Sequence, residues 1–213
     1  MTYEFVKRLM DLFLAFFLGL LFLPVIFLTG ALIKLTSPGP VFADTPKRAG
    51  RNGRPFRLYK FRSMIAGAHT LLTTDPAFSK LYEEYKKQNY KHVAGDPRVT
   101  PFGRLIRKYS IDEIPQLLNV LRGEMSVVGP RPYYEEELEE QQRRYPKTSK
   151  LVKTALSARP GITGLWQVSG RSEINFDKRI ELDAHYAQNR SFGMDIGILL
   201  KTPAAMVTGR GAV

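Results

Sequence analysis

Hydrophobic patterning divides the chain at once. Residues 12 to 33 form an apolar run without a single charged side chain. As a straight helix that run would reach about 33 Å, enough for a hydrocarbon core of about 30 Å. Pro24 lies near its middle, where it removes a helical hydrogen bond and kinks the axis. Both flanks are basic: Lys7 and Arg8 before, then Lys34, Lys47, Arg48, Arg51, Arg54, Arg57, Lys60 and Arg62 after. The positive-inside rule places both flanks in the cytoplasm. A bend at Pro24 leaves two arms of roughly 15–18 Å each, about half a bilayer deep. The pattern therefore predicts a re-entrant helical hairpin. A single spanning helix is the alternative, because spanning helices tolerate proline. A signal peptide fits poorly, since the run is long and Lys34 follows with no small-residue cleavage site.

Beyond Ser37-Pro38-Gly39-Pro40, which turns the chain, short helices and strands follow one another. Residues 41 to 64 mix basic side chains with Phe42, Phe56, Tyr59 and Phe61, and Lys60 to Met64 reads as a strand end. Residues 65 to 93 are polar and helix-forming, with Leu81, Tyr82 and Tyr85 on one face. A turn-rich lead-in from Asp96 to Arg104 delivers Leu105, Ile106 and Arg107 to a central helix ending at Gly123, a C-cap glycine. Ile114, Leu117, Leu118 and Leu121 make its buried stripe. Its start is open: Ser110 and Glu113 match a capping box, or Asp112 caps and Pro115 falls in the permissive first turn. Val127-Val128 is a short buried strand running into Gly129-Pro130-Arg131-Pro132. Glu135 to Arg144 is a charged helix read as a solvated face. Arg159 to Arg171 reads as turn, strand, turn, and Asn175 to Gln188 as a helix. Met194 to Val207 reads as an amphipathic helix suited to a core or a membrane surface, interrupted by Pro203. The division expected is 1–36 for the hairpin and 37–213 for a cytosolic domain.

Composition narrows the chemistry. The 213 residues include no cysteine, so disulfides and thiolate metal sites are excluded. The three histidines, His69, His92 and His185, are far apart and argue against zinc. There is no Walker lysine loop, no dinucleotide fingerprint and no nucleophile elbow. A net charge of +12 calls for an anionic partner: nucleic acid, a membrane surface or a phosphorylated substrate.

Against that charge, the adjacent carboxylates Asp112 and Glu113 stand out. Near a helix N-terminus an anion gains roughly 0.3–1 kcal/mol, and the same end can hold a phosphate. An ionised carboxylate there could attack phosphorus or bind a divalent metal; capping alone is the plainer reading. Arg131, stiffened by two prolines, suits bidentate phosphate contact, with an exposed loop arginine as the alternative. Lys60, Arg62 and Arg171 are further phosphate-binding candidates.

Taken together, these segments resemble the bacterial sugar transferases, the monotopic phosphoglycosyl transferases that begin glycoconjugate assembly. The resemblance rests on Lys7-Arg8 before a Pro-broken apolar helix, Ser37 to Phe42, Lys60 to Met64, Asp96-Pro97-Arg98, Arg107 to Gly123, Gly129 to Pro132, and Pro160 to Arg171. It implies transfer of sugar-1-phosphate from a UDP-sugar to polyprenyl phosphate with release of UMP. Asp112 would be the nucleophile and Glu113 its partner, with Mg²⁺ at Asp112 and phosphate contacts from Arg107 and Arg131. It also implies a small mixed α/β catalytic domain over 37–213, a re-entrant anchor in membrane phospholipid on the cytoplasmic face of the bacterial inner membrane, no nucleic acid, and room for a homodimer. One departure is Leu23, where small members of the family have serine before the proline. Pro24 must then bend the helix without help from a hydroxyl. Two rivals follow from the same residues: a membrane-tethered basic protein that binds nucleic acid or anionic lipid without catalysis, and a glycosyltransferase that releases UDP.

Overall fold

A computed structural model of the chain describes residues 2–88, 93, 95–170 and 174–207. It begins with α1 (Tyr3–Leu21) and α2 (Leu23–Thr36), whose axes meet at 60°. Pro24 stands in the first turn of α2, where no N–H is required of it. The Phe22 N–H donates to the Leu18 carbonyl and the Ile26 N–H to the Phe22 carbonyl, both at 2.9 Å, so hydrogen bonding runs through the bend. Among the described residues no single helix is long and apolar enough to cross a membrane, but this bent pair together is. A straight spanning helix is not what the chain adopts.

The rest is dominated by helices. In order come β1 (Arg48–Ala49), β2 (Pro55–Phe56), α3 (Ala68–Thr74), α4 (Ser79–Lys87), α5 (Pro101–Lys108), α6 (Gln116–Arg122), β3 (Ser126–Val128), α7 (Glu135–Arg144), α8 (Ser149–Ala155), β4 (Gly161–Thr163), α9 (Leu165–Val168), α10 (Phe176–Asn189) and α11 (Phe192–Val207). The α/β expectation is therefore met only in part. β1 pairs antiparallel with β2, and β3 parallel with β4, Ser126 opposite Gly161 and Val128 opposite Thr163. Proline and glycine keep the central strands to three residues. Backbone then meets backbone: a Cβ on Gly129 would come within 2.3 Å of the Arg159 carbonyl oxygen. The parallel pair needs a long crossover, and α7 and α8 supply it.

α1 lies along α6 and β3 and closes the main core. Ala15 is fully buried there, with Leu117, Val120, Met125 and Val128 against it in the same cluster. Polar groups fix the same contact. The Asp11 carboxylate accepts the Ser126 hydroxyl at 2.8 Å and the Val127 N–H at 3.0 Å. Lys7 reaches Asp195 at 3.1 Å, and Arg8 donates to the carbonyls of Val120 and Leu121 at 2.7 and 3.1 Å. The two basic residues expected as a free topological flank are thus engaged by the domain itself. The outer face of the hairpin is different: Phe13, Phe16, Leu20, Leu21, Phe27 and Leu28 are all exposed. An unbroken apolar surface of that kind marks an interaction surface.

Three expectations need correction. In α6 only Leu117 of the proposed stripe is fully buried, beside Val120; Leu118 and Leu121 face outward. α7 is not a solvated face throughout, because Glu137, Leu138 and Gln141 are buried, Glu137 against Arg179 of α10 and Leu138 in a cluster with Val152 and Ile180. α11 runs through Pro203 to Val207 without interruption.

Candidate active site

The paired carboxylates occupy a one-turn 3-10 helix, Ile111–Glu113, between α5 and α6. Thr100 starts α5 by accepting the Gly103 N–H at 2.9 Å, with Pro101 in the first position. Ser110, at φ 55°, then turns the chain out of α5. α6 begins only at Gln116 and ends, as expected, at Gly123 in the left-handed conformation, φ 81°. Neither proposed start is realised: Ser110 makes no side-chain cap, and Pro115 occupies the cap position of α6. A helix running back through Pro115 would lack a hydrogen bond there, and the 3-10 turn takes its place.

The charge that meets Asp112 is therefore a side chain rather than a helix dipole. Lys60 Nζ lies 3.2 Å from Asp112 Oδ2 and 3.1 Å from Glu113 Oε1. An extended segment delivers it. Its Tyr59 N–H donates to Asn119 Oδ1 on α6 at 2.9 Å, and its Phe61 N–H to the Asp112 carbonyl at 3.0 Å. Burial pushes the Asp112 carboxyl above its ordinary pKa; Lys60 opposes that, Glu113 adds to it and Arg107 opposes it. Burial would pull the Lys60 ammonium down, but Asp112 and Glu113 outweigh it and hold the group above its usual value. Arg107, on the last turn of α5, is lowered by its own burial and has Asp112, Tyr85, Tyr134 and Glu113 as charged or titrating neighbours.

Arg131 follows β3. Its N–H donates to Asp183 Oδ2 at 3.2 Å, its guanidinium lies 5.0 Å from the Trp166 ring centre, and its Nε is 4.0 Å from Glu137 Oε1. Tyr85 and Tyr134 are electrostatic neighbours of Arg131 as well as of Arg107. Arg62 goes elsewhere: it is buried, and its guanidinium donates to the carbonyls of Pro38 and Ser37, closing the exit from α2. Arg171 lies outside the described residues.

Sequence reasoning missed Tyr85, Tyr134, Glu137, Arg179 and Asp183. A signal existed for the last two. Phe176, Arg179, Ile180, Asp183, Ala184 and Ala187 follow helical spacing, so two charges share an apolar face. As for a metal, the described residues hold no cluster of three or more histidine, aspartate or glutamate ligands. Two carboxylates converging on one ammonium do make a seat for a cation, and Mg²⁺ usually takes one or two carboxylates plus substrate phosphates.

Comparison with known proteins places this geometry in a class. The bacterial sugar transferase family model matches residues 2–209, and the chain belongs to that family of enzymes. It is 39% identical to the exopolysaccharide production protein ExoY of Sinorhizobium fredii over 97% of this chain and 87% of that protein. The ExoY of Rhizobium meliloti is 41% identical with the same coverage. The undecaprenyl-phosphate galactose phosphotransferase of Salmonella typhimurium is 43% identical over 84% of this chain and 36% of its own length.

Proposed function

We propose that the protein transfers sugar-1-phosphate from a UDP-sugar to polyprenyl phosphate, giving polyprenyl diphosphate sugar and UMP. One observation carries this: a buried aspartate, Asp112, held against Lys60 and Glu113 in a chain of this family. In the first step an ionised Asp112 oxygen attacks the sugar-linked phosphorus. The phosphorus–oxygen bond to UMP breaks, UMP leaves with the electron pair, and an aspartyl phosphosugar forms. In the second step an oxygen of polyprenyl phosphate attacks the same phosphorus and the carboxylate is released. Lys60 stabilises the ionised Asp112 before attack. Arg107 and Arg131 bind the phosphates, and Arg131 presents a planar fork. Asp112 and Glu113 would hold Mg²⁺, which supplies charge neutralisation on the diphosphate. Arg62, engaged with carbonyls, is left out of the binding set.

Residues 1–36 anchor the enzyme in one leaflet of the inner membrane at its cytoplasmic face, and residues 37–213 carry the chemistry. The exposed apolar outer face of the hairpin and the basic flanks support that placement. The test of the reaction is a panel of UDP-sugars with undecaprenyl phosphate and Mg²⁺, read by UMP release; release of UDP instead would make the enzyme a glycosyltransferase. The test of the anchor uses the absence of native cysteine. In Thr2→Cys and Asn52→Cys proteins, an impermeant thiol reagent outside intact spheroplasts should label neither site, and lysis should expose both. Labelling of Thr2→Cys from outside would overturn the hairpin.

A further inference from the structure

Behind Arg131 lies a sealed charge cluster that the reaction above does not use. Glu137 on α7 is 0% exposed and Arg179 on α10 is 1% exposed, so neither can touch a substrate directly. Yet two guanidiniums turn toward one carboxylate oxygen. Arg179 Nη2 donates to Glu137 Oε1 at 3.0 Å, and Arg131 Nε lies 4.0 Å from that same atom. An ion pair that served stability alone would need one cation for this carboxylate, and even then a buried pair is weak evidence of stabilisation. The second cation is surplus to this carboxylate, and the Asp183 carboxyl is the other acid that faces the pair.

Aromatic faces and backbone contacts hold the surplus cation in one orientation. The Arg131 guanidinium lies against Trp166 at 5.0 Å and Tyr133 at 6.0 Å, and Arg179 lies against the same two rings at 6.0 and 5.4 Å. Asp183 Oδ2 accepts both the Arg131 N–H at 3.2 Å and the Tyr133 hydroxyl at 2.7 Å. Among the described residues, Arg131 Nε and Glu137 Oε2 are buried without a hydrogen-bond partner. Closing the 4.0 Å gap to a hydrogen bond takes a shift of about 1 Å.

We infer that Glu137, clamped by Arg179, is a positioning residue that sets the guanidinium of Arg131 for the substrate phosphate. This rests on the reading of Arg131 as a phosphate ligand. Glu137 takes the Nε edge from the protein side and leaves the outer edge of the fork for the anion. Arg179 holds the carboxylate in place at 3.0 Å without competing for the substrate.

The experiment combines kinetics with emission from Trp166, the only tryptophan in the chain. Glu137→Asp keeps the charge and withdraws the carboxylate by one methylene. Glu137→Gln can fail to fold, because it strands a buried guanidinium; the double variant Glu137→Gln/Arg179→Met removes both charges and guards against that. We expect Glu137→Asp and the double variant to melt near the wild type, to lose ~tenfold in kcat/KM, equal to about 1.4 kcal/mol, and to show a weakened change in Trp166 emission when UDP and Mg²⁺ are added. In an Arg131→Lys background, Glu137→Asp should cost little more. Full activity in the double variant would show that only charge neutrality mattered and would overturn the inference. So would an impaired Arg131→Lys protein to which Glu137→Asp adds its whole effect, and that result leaves the phosphate reading intact. Wild-type kinetics in Arg131→Lys would remove the phosphate reading itself and the inference with it.

Discussion

The two charged regions of the site are mirror images. At the α5–α6 turn, two carboxylates share one ammonium: Lys60 between Asp112 and Glu113, at 3.2 and 3.1 Å. Behind β3, two guanidiniums share one carboxylate oxygen: Arg131 and Arg179 at Glu137. By these contacts the first region is the more negative and the second the more positive, with Arg107 and Asp183 offsetting each in part. In the proposed reaction the first carries the nucleophile and the second holds a phosphate. They also differ in access. The side chains of Lys60 and Glu113 are 22% and 34% exposed, whereas Glu137 and Arg179 are closed to water. Asp112 itself is only 7% exposed, so Lys60 and Glu113 form the open edge of the first region, while the second opens at Arg131, which is 21% exposed.

The largest effect expected from that division is at Asp112. Asp112→Asn keeps the shape of the 3-10 turn and removes the negative charge that would attack phosphorus in the proposed reaction. Purified protein should insert and melt normally, lose nearly all UMP release and trap no phosphosugar. Substantial turnover would move the chemistry away from the negative region and dissolve the comparison.

Next comes Arg131→Lys, which keeps the charge and loses the fork. We expect kcat/KM to fall by at least ~tenfold, about 1.4 kcal/mol of transition-state stabilisation, at unchanged thermal midpoint. Asp112→Asn should remain far more damaging than this substitution, because one removes the nucleophile and the other loosens an electrostatic clamp.

The two regions were unequally legible in the sequence. Asp112 and Glu113 are neighbours in the chain, and Lys60 lies in a compact basic and aromatic stretch, so local spacing sufficed to nominate all three. Their setting was misjudged: the start of α6 was placed before Pro115, and the helix dipole received the role that Lys60 plays. Glu137, Arg179 and Asp183 come from two helices separated by α8, β4 and α9, and nothing local joins them. Glu137 was hidden further by its surroundings. In Glu135-Glu136-Glu137-Leu138-Glu139-Glu140 five acidic residues look alike, and only tertiary packing selects the one that is buried. The bend between α1 and α2 was legible because Pro24 is a local signal. The docking of α1 through Asp11 and Asp195 was not, since those contacts span most of the chain.

A smaller effect separates the regions by pH. Burial pushes the Asp183 carboxyl up to about 7, partly offset by Tyr133, the Arg131 N–H and Arg179. In the unfolded chain an aspartate titrates near ~3.9. With the folded value above the unfolded one, this group's contribution to stability is full below the unfolded pKa. It is lost as pH rises through the folded value near 7. Asp183→Asn cannot ionise. The wild-type thermal midpoint should therefore fall more between pH 5 and pH 8 than that of Asp183→Asn; parallel curves would mean that the carboxyl does not titrate there.

The smallest effect tests whether Lys60 serves the nucleophile or merely neutralises it. Asp112 acts only when ionised, and burial and Glu113 both resist ionisation while Lys60 and Arg107 favour it. Activity should thus fall on the acid side as Asp112 takes up a proton. Lys60→Met removes the favouring charge nearest the carboxylate and leaves Glu113 in place. The acid limb of the kcat/KM profile should then move to higher pH, with the rate above that limb reduced less than in Asp112→Asn. Each pH unit of movement corresponds to about 1.4 kcal/mol lost from the ionised form. Glu113→Gln should move the limb the opposite way, because it deletes the like charge that raises Asp112. Opposite shifts from two neighbours of one carboxylate have no explanation in a general loss of structure. If both variants leave the limb where it is, the group that titrates is not Asp112, and Lys60 neutralises the turn without activating it.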